Sequence, residues 1–393
     1  MRLKRIPQRV NNCLYPLSSY LNSPQGEHFR VCCWVLVTLI MCQGSATLKA
    51  LTQLMPRSLR YWTVLRLVRA GYWDAAVLIE EFSITVLYTL PPPPDGLLHL
   101  TGDATVIEKT GEQQPLARKT RTNQFSPYVF GQSLVLLIAQ WGRFRVPVAA
   151  AVIDPTLKGH QNLLFRQMLE QFVPPSWATA VVVEADAGFA AKATLKLIAE
   201  KGYGYVFGLA RPWKLADGTH LSNLTRHTPK SCYHRLASYK PDGRRKDFWV
   251  FRRRAQVQHL GDVTLLLSKS RRNYGPQRIK LIVTNLAEAT TGTLLSYYHR
   301  RWGIEVAFKE LKSGLHLGQM QVTKQAHRVE HALLLPVLAY LLLLRLYGAE
   351  MRPEVGYPIW QLKQRFLEEV YQEQHHRSEQ RWRKKLDQYK AAA

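Results

Sequence analysis

Four consecutive prolines at positions 91–94 constrain the fold of this chain more than any other feature. Proline fixes its own φ angle and lacks a backbone N–H, so neither an α-helix nor a central strand can continue through the run. Residues 1–90 have helical periodicity, whereas the runs after the prolines are rich in Val, Leu and Ile and have the length of strands. The prolines therefore predict a stiff, extended linker between a helical part and an α/β part.

The helical part contains two short patterns, Thr47–Leu54 and Ser58–Arg69, and Ser58 is the predicted N-cap of the second. The second pattern is basic. A short helix, a turn and a basic helix are typical of a helix-turn-helix module that binds DNA. An ordinary helical cap on a larger domain has the same pattern, and the sequence leaves both interpretations open.

The part after the prolines predicts a mixed sheet flanked by helices, because three strand patterns precede an alternation of helices and strands. Its middle differs in composition and reads as antiparallel strands separated by Gly- and Pro-containing turns. The predicted division is a helical domain, an α/β domain, a basic β-rich insertion and a charged helical tail; these are residues 1–90, 95–210 with 281–350, 211–280, and 351–393.

The charge balance points to a polyanionic partner. The chain has 54 Lys and Arg residues against 28 Asp and Glu, a net charge of +26. Such an excess favours nucleic acid as the partner, with an anionic membrane surface as the second choice. Residues 211–280 hold 17 basic residues against 4 acidic ones, which is about half of the net charge. Its candidate DNA contacts are Arg252, Arg253, Arg254, Arg271, Arg272 and Trp249.

Cations among stackable aromatic rings suit a phosphate backbone with exposed bases, although a solvated basic hairpin has the same composition. The longest apolar runs, Val31–Cys42 and Ala332–Leu344, fall short of the ~20 residues of a membrane helix, so we expect no membrane span. Five cysteines without a Cys-x-x-Cys pair predict free thiols and a cytoplasmic location. The short run Gly202-Tyr-Gly-Tyr is no phosphate-binding loop, so no nucleotide cofactor is expected.

Two aspartates have settings that suggest chemistry. Asp103 lies in Gly-Asp-Ala-Thr inside a predicted strand, and Asp186 follows the apolar strand Val181–Ala185. A carboxylate in an apolar strand is costly unless it is paired or binds a metal. In mixed sheets, ligands bind beyond the carboxyl ends of strands. Either residue alone could equally be a strand-end cap or a turn residue.

A third carboxylate lies in a predicted helix, Thr291–Leu311. Tyr298, Arg301, Glu305 and Lys312 recur at steps of three, four and seven, which places them within roughly 60° of one another on a helix. Glu305 would ligate a metal while Arg301 and Lys312 hold phosphates. A surface ion pair would explain Arg301 and Glu305 alone, but not Tyr298 and Lys312 on the same face.

This spacing, Tyr-x2-Arg-x3-Glu-x6-Lys, resembles the signature of a large group of bacterial insertion-sequence transposases with a DDE active site. Asp103 and Asp186 match the first and second aspartates of that family. The resemblance implies an RNase H-like mixed sheet with flanking helices, interrupted by a mostly β insertion between the second aspartate and the glutamate. It also implies two Mg²⁺ or Mn²⁺ ions held by Asp103, Asp186 and Glu305, about 3.5–4 Å apart.

The implied partner is double-stranded DNA, both transposon ends and target, bound by a dimer in the bacterial cytoplasm at the nucleoid. The implied reaction is excision and integration through a hairpin at the transposon end. Tyr298 and Arg301 would grip the phosphate beside a flipped nucleotide, and Trp302 or Trp249 would stack on its base. On this interpretation Arg301→Ala would spare the first nick and lose the hairpin. Glu184 lies two residues before Asp186 on the same face of the predicted strand, where it could substitute for Asp186 or interfere with it.

Three other functions remain open at this point. A transposase-derived protein could bind DNA without catalysis, and a structure-specific nuclease could share the fold. The sequence His327-Arg-Val-Glu330-His331 also matches the pattern of an inverted zinc protease, with Glu369 as a third ligand. Five-residue motifs recur by chance, and a chain with a charge of +26 would be an unusual protease.

Overall fold

The structure is a computed structural model that describes residues 5–21, 27–70, 73–111, 114–121, 128–239, 245–322 and 325–392. The chain forms two compact units. One is helical and comprises residues 1–91, 113–115 and 308–393, and the other contains the sheet and comprises residues 92–112 and 116–307.

The helices are, in chain order, α1 (Gln8–Leu14), α2 (Glu27–Met41), α3 (Leu48–Leu54), α4 (Tyr61–Arg69), α5 (Ala75–Thr89), α6 (His160–Gln171), α7 (Lys192–Glu200), α8 (Leu221–His227), α9 (Thr291–Arg300), α10 (Trp302–Gly314), α11 (Ala326–Tyr347) and α12 (Ile359–Ala392). The strands are β1 (Leu97–Glu108), β2 (Ala117–Arg121), β3 (Tyr128–Trp141), β4 (Phe144–Val152), β5 (Ala180–Ala185), β6 (Gly204–Gly208), β7 (His234–Tyr239), β8 (Arg245–Val257), β9 (Gly261–Lys269) and β10 (Lys280–Thr284).

The helical unit is built around α11. This helix is apolar on all sides, so it is stable only when other helices surround it, and it packs against α1, α2, α4, α5 and α12. Residues 308–350, which we predicted to belong to the α/β domain, therefore belong to the helical unit instead. Among the described residues, Ala326–Glu350 is long and apolar enough to cross a membrane, and 83% of its most apolar window is buried inside the protein.

The pair α3 and α4 confirms the predicted short helix, turn and basic helix, with one correction. The Thr47 side chain accepts a hydrogen bond from the Ala50 N–H and caps α3. Ser58 does not cap α4: the N–H of Leu59 bonds back to the Pro56 carbonyl in a turn, and the helix begins only at Tyr61. Its buried residues are Val64, Leu65, Leu67 and Val68.

The sheet is mixed, as predicted. Its strand order is β2-β3-β1-β5-β6-β10-β9-β8-β7, and β4 pairs with β3. Strand β1 is antiparallel to β3 and parallel to β5, which in turn is parallel to β6. The predicted insertion adds β7, β8 and β9 to this same sheet through the antiparallel pair β9 and β10, so these strands extend the sheet instead of forming a separate layer.

The two faces of the sheet have different partners. On one face, α9 packs Leu294, Leu295 and Tyr298 over strand residues that include Val182 and Val206. Because side chains alternate along a strand, Asp103 and every second residue before it on β1 point to this same face. On the opposite face, Gly102 lies against Phe165 of α6, and a Cβ at this position would lie 2.0 Å from the ring. Glycine therefore allows α6 to pack closely behind the Asp103 strand.

Candidate active site

Strand register brings the two aspartates together. Gly102 on β1 pairs with Ala185 on the parallel strand β5, so Asp103 and Asp186 are the next residues along neighbouring strands that run in the same direction. Asp186 directly follows β5, where the chain turns away from the sheet.

Glu305 comes from a helix that begins later than predicted. The single helix Thr291–Leu311 is wrong: α9 ends at Arg300 and α10 begins at Trp302, with Arg301 between them at φ −47° and ψ −31°. At this junction the Nε2 of Gln140 donates to the Arg300 carbonyl oxygen at 3.5 Å.

Arg301 is the shared partner of all three carboxylates. Its Nη1 lies 3.3 Å from Asp103 Oδ2, its Nε 3.2 Å from Asp186 Oδ1, and its Nη2 3.2 Å from Glu305 Oε1. The Arg301 side chain is only 10% exposed, compared with 48% for Asp186 and 38% for Glu305. One buried guanidinium therefore holds carboxylates from two strands and a helix in one cluster.

The cluster has more negative than positive charge, and its pKa values reflect this. Burial raises the pKa of Asp103 to about 6; the Ala104 N–H and Arg301 oppose the rise, while Asp186 and Glu305 add to it. Burial by itself would lower the pKa of Arg301, but the three carboxylates together with Tyr298 raise it. Arg301 therefore stays a cation, and Asp103 is the carboxylate that most needs a further positive charge.

Tyr298 is held in the same cluster. Its hydroxyl donates to Asp186 Oδ1 at 3.3 Å, and the residue is only 7% exposed. Burial, followed by the charge of Asp186, raises the pKa of Tyr298 to about 12, so the hydroxyl remains a donor. Gly208 lies behind it, and a Cβ there would lie 3.1 Å from the hydroxyl oxygen.

The donor set fits a hard divalent cation. Three carboxylates and one guanidinium leave two negative charges, and all free donors are oxygens, which favour Mg²⁺ or Mn²⁺ over zinc. Across the described part of the chain, no three His, Cys, Asp or Glu side chains are close enough together to share a metal ion. Each of the three carboxylates faces a different nitrogen of Arg301.

A cleft of about 380 Å³ opens beside Asp186 and is lined in part by Arg211, Lys280 and Tyr298. The Nζ of Lys280 lies 5.7 Å from the centre of the Tyr298 ring. Sequence reasoning did not single out Arg211 or Lys280, the first and last residues of the basic segment. Their proximity to Asp186 depends on the pairing of β6 with β10, which no local pattern reveals.

Three further residues that the sequence singled out for the site lie on α10 and β8. Lys312 lies seven residues beyond Glu305 on α10, in the helical unit, and burial lowers its pKa. Trp302, a candidate for stacking on a displaced base, is 62% exposed. Trp249 is half-buried on β8, and the Arg272 guanidinium lies over its ring at 5.3 Å.

The five arginines proposed to contact DNA do not form one surface. On β8, Arg252 and Arg254 point to one side and Arg253 to the other, because side chains alternate along a strand. Arg252 donates to the backbone carbonyls of Ala287 and Ala289, and Arg254 pairs with Glu288. Arg253, Arg271 and Arg272 are exposed. The sequence predicts that side chains alternate along β8, but it does not predict the hydrogen-bond partners of Arg252.

Glu184 is neither a substitute nor a rival for Asp186 in this geometry. It is fully buried, its Oε1 lies 2.5 Å from His99 Nδ1, and its Oε2 accepts a hydrogen bond of 2.9 Å from Thr101. Both carboxylate oxygens of Glu184 are therefore already paired with side chains of β1.

The zinc-protease interpretation fails on His331. Both of its ring nitrogens lie against backbone carbonyl oxygens, at 2.9 and 3.0 Å, and its ring stacks on Trp73 at 3.9 Å. His327 Nε2 lies 3.2 Å from another backbone carbonyl oxygen. The two histidines hold the chain before α5 against α11 and do not face a common cation.

Three carboxylates around one cation, on a mixed sheet in a strongly basic chain, are typical of enzymes that cut and join nucleic acid strands. The profile of the transposase DDE domain family matches residues 96–342, well over half of the chain, and the chain belongs to this family. It is therefore a DDE-type transposase, a class that acts in DNA transposition and recombination.

Two further comparisons add little. A search of curated proteins finds no match. Among solved structures, the chain is similar to a piggyBac transposase in a synaptic complex with hairpin DNA, determined by cryo-electron microscopy. The identity is 10%, the TM-score is 0.49, and the match covers 93% of this chain and 77% of that one. So distant a likeness bears on neither the site nor the reaction.

Proposed function

We propose that this protein catalyses the excision and integration of a bacterial insertion sequence, with Asp103, Asp186 and Glu305 as its catalytic carboxylates. The observation that carries the proposal is the cluster itself: carboxylates 83 and 119 residues apart along the chain meet on the single guanidinium of Arg301. A surface ion pair would not require three elements to converge. An RNase H-like core fits the order of β4, β3, β1, β5 and β6, in which β1 lies between antiparallel and parallel neighbours.

Asp103, Asp186 and Glu305 would hold two Mg²⁺ or Mn²⁺ ions, which when bound help to activate the attacking oxygen and to stabilise the leaving one. The chain itself supplies the rest. Arg301 has five N–H donors and can turn from the carboxylates to a phosphate oxygen once they have another cationic partner. Tyr298 donates from its protonated hydroxyl, and Arg211 and Lys280 attract the DNA backbone toward the cleft beside Asp186.

Two reactions would follow in order. Water first attacks a phosphodiester at the transposon end, which leaves a 3′-hydroxyl and a 5′-phosphate. The 3′-hydroxyl then attacks a phosphodiester of the opposite strand, so that one P–O bond forms as another breaks and the flanking DNA leaves with its own 3′-hydroxyl. The product is a hairpin. Exposed Trp302, or Trp249, would stack on the nucleotide displaced by the tight bend.

Alanine variants of the three carboxylates test the assignment. Each should abolish strand cleavage of end-labelled duplex DNA carrying the proposed terminal repeats, while DNA affinity stays near that of the parent. Glu288→Ala is a matched control, because Glu288 is 92% exposed and pairs with Arg254, itself 71% exposed. Cleavage by Glu305→Ala at the parental rate would show that the carboxylate assignment is wrong, and cleavage without a hairpin would exclude the second step.

Arg301→Ala is a poor test of hairpin formation alone. Because Arg301 touches all three carboxylates, its removal leaves them without their cation and should slow both steps. Tyr298→Phe is cleaner, since it removes one hydroxyl that contacts Asp186. We expect it to slow hairpin formation more than the first nick, as denaturing gels would show.

The helical unit would recognise transposon ends through α4. Residues 43–73 contain five basic residues and no acidic one. Opposite its buried face, α4 exposes Trp62, Arg66 and Arg69, and Trp62 is 64% exposed. A helix with a basic, aromatic free face that follows a short helix and a turn suits the major groove. This exposed face favours the DNA-binding interpretation over an ordinary helical cap.

The α4 assignment is tested by Arg66→Ala/Arg69→Ala. The double variant should bind duplex DNA more weakly, with a log–log salt slope lower by about two. Arg377→Ala, on α12 of the same unit, is the control, because Arg377 is paired with Glu373 one turn away. An unchanged slope in the double variant would mean that α4 does not contact phosphates. The proposal includes double-stranded DNA as the partner, bound by a dimer in the cytoplasm.

A further inference from the structure

Four polar side chains lie buried behind the carboxylate cluster. His99 and Thr101 on β1, Gln140 on β3 and Glu184 on β5 are each no more than 3% exposed. They occupy three neighbouring strands, with Thr101 paired to Glu184 and His99 paired to Gln140 across the register. All four belong to the unit that contains the sheet.

These side chains form one continuous chain of contacts. Gln140 Nε2 donates to Thr101 Oγ1 at 2.5 Å, and Thr101 donates to Glu184 Oε2 at 2.9 Å. The other oxygen of Glu184 lies 2.5 Å from His99 Nδ1, and the His99 ring meets the Tyr297 ring of α9 edge-on at 4.8 Å. We name this set, His99, Thr101, Gln140 and Glu184, the buried polar chain.

The buried polar chain reaches both ends of the active site. Thr101 and Glu184 each lie two residues before a catalytic aspartate on the same strand face. At its other end, Gln140 lies at the junction of α9 and α10, 3.5 Å from the Arg300 carbonyl oxygen. A Cβ at position 303 would lie 1.8 Å from Gln140 Oε1, so glycine at this position lets the Gln140 side chain keep its place against α10.

Fold stability gives no reason for this arrangement. Apolar side chains at these four positions would continue the surrounding core without burying any polar group, and such replacements are often neutral or stabilising. A fully satisfied polar network instead specifies one geometry, because each hydrogen bond sets a distance and a direction. Arg301 directly follows Arg300, and Glu305 lies five residues after Arg300. The position of this junction therefore sets the positions of both side chains.

We propose that the buried polar chain is a positioning element that links the two aspartate-bearing strands to the start of α10 and thereby sets the placement of Glu305 and Arg301 relative to Asp103 and Asp186. Its residues touch neither the substrate nor the reacting atoms. The inference rests on the proposed function, because it takes the three carboxylates as catalytic. It adds His99, Thr101, Gln140 and Glu184 as positioning residues.

Thr101→Val tests the inference, because it keeps the shape of the side chain and removes the hydroxyl in the middle of the chain. We expect kcat for strand cleavage to fall about 10- to 100-fold and Mn²⁺ affinity, measured by titration calorimetry, to fall about 10-fold. Affinity for duplex DNA should stay within twofold. Thr101→Ser keeps the hydroxyl and should restore both quantities to within a few fold of the parent.

Thr264→Val is the matched control. Thr264 is 1% exposed on β9 of the same sheet, and its hydroxyl oxygen has no hydrogen-bond partner within the residues that the structure describes. The same chemical change there should alter neither kcat nor Mn²⁺ affinity. If Thr101→Val does not fold, Gln140→Leu removes both the donation to Thr101 and the contact at the helix junction, and it should give the same loss of kcat without a loss of DNA affinity.

The outcomes separate the two proposals. If Glu305→Ala is inactive while Thr101→Val and Gln140→Leu keep the parental kcat and Mn²⁺ affinity, the positioning role is overturned and the catalytic assignment stands. If Glu305→Ala cleaves at the parental rate, the proposed function itself fails. A loss of kcat in Thr101→Val that Thr101→Ser does not restore would also overturn the inference, because the hydroxyl would not be the group that matters.

Discussion

Removing the charge of Asp103 should stabilise the fold while it abolishes catalysis. Asp103→Asn keeps the size of the side chain and the oxygen that accepts the Ala104 N–H at 2.8 Å. It removes one negative charge from a cluster in which a single arginine faces three carboxylates. The cluster is therefore under electrostatic repulsion that this substitution relieves.

The size of the effect follows from the pKa of Asp103, which is raised from 3.8 to about 6, mainly by burial. Each pH unit between the folded and unfolded pKa values corresponds to about 1.4 kcal/mol, so ionised Asp103 costs about 3 kcal/mol at neutral pH. The Asp103 side chain is only 22% exposed, so solvent screens little of this electrostatic cost. Because the folded pKa is the higher one, the free energy of unfolding falls as pH rises from 3.8 to about 6 and then levels off.

Urea unfolding in EDTA at several pH values measures the difference in unfolding free energy between Asp103→Asn and the parent. At pH 7.5 we expect Asp103→Asn to be about 2–3 kcal/mol more stable than the parent, and at pH values below 3.8 we expect the two to be equal. Asp262→Asn, at an exposed position on β9, is the control and should leave the unfolding free energy unchanged at each pH.

Two results would refute this reasoning. Equal or lower stability of Asp103→Asn at pH 7.5 would mean that Arg301 already compensates the charge of Asp103 in full. A gain in stability that persists at pH values below the unfolded pKa would mean that the substitution acts through packing and not through charge.

Further predictions concern the core, the basic segment and the tyrosine. Gly102→Ala should lower the free energy of unfolding by about 1–3 kcal/mol, because its Cβ would lie 2.0 Å from the fully buried Phe165 ring; unchanged urea unfolding would contradict this. Arg271→Ala/Arg272→Ala should lower the log–log salt slope of duplex binding by about two, and an equal slope would make these residues a solvated face. Tyr298→Phe should bind DNA like the parent in gel-shift assays, since its buried hydroxyl contacts Asp186; weaker binding would place that hydroxyl on DNA in the bound state.

Local sequence patterns placed Asp103 inside a strand and an apolar strand directly before Asp186, where the structure has β1 and β5. Such patterns are readable because the two-residue period of a strand is a local property. The spacing of Tyr298, Arg301 and Glu305 indicated a shared helical face, and the net charge of +26 favoured nucleic acid as the partner. Each of these inferences uses residues that are close along the chain, or a property of the whole composition.

Tertiary structure decided which side chains meet. That Arg301 also pairs with Asp103 and Asp186, that Arg252 is bonded to backbone carbonyls, and that Glu184 belongs to the buried polar chain all depend on pairings across 35 or more residues. The contact between Gln140 and the junction of α9 and α10 has the same origin, since it joins residues 160 positions apart. A local sequence pattern sets the period of an element and which of its faces is apolar, whereas register and packing between distant elements determine which polar groups satisfy one another.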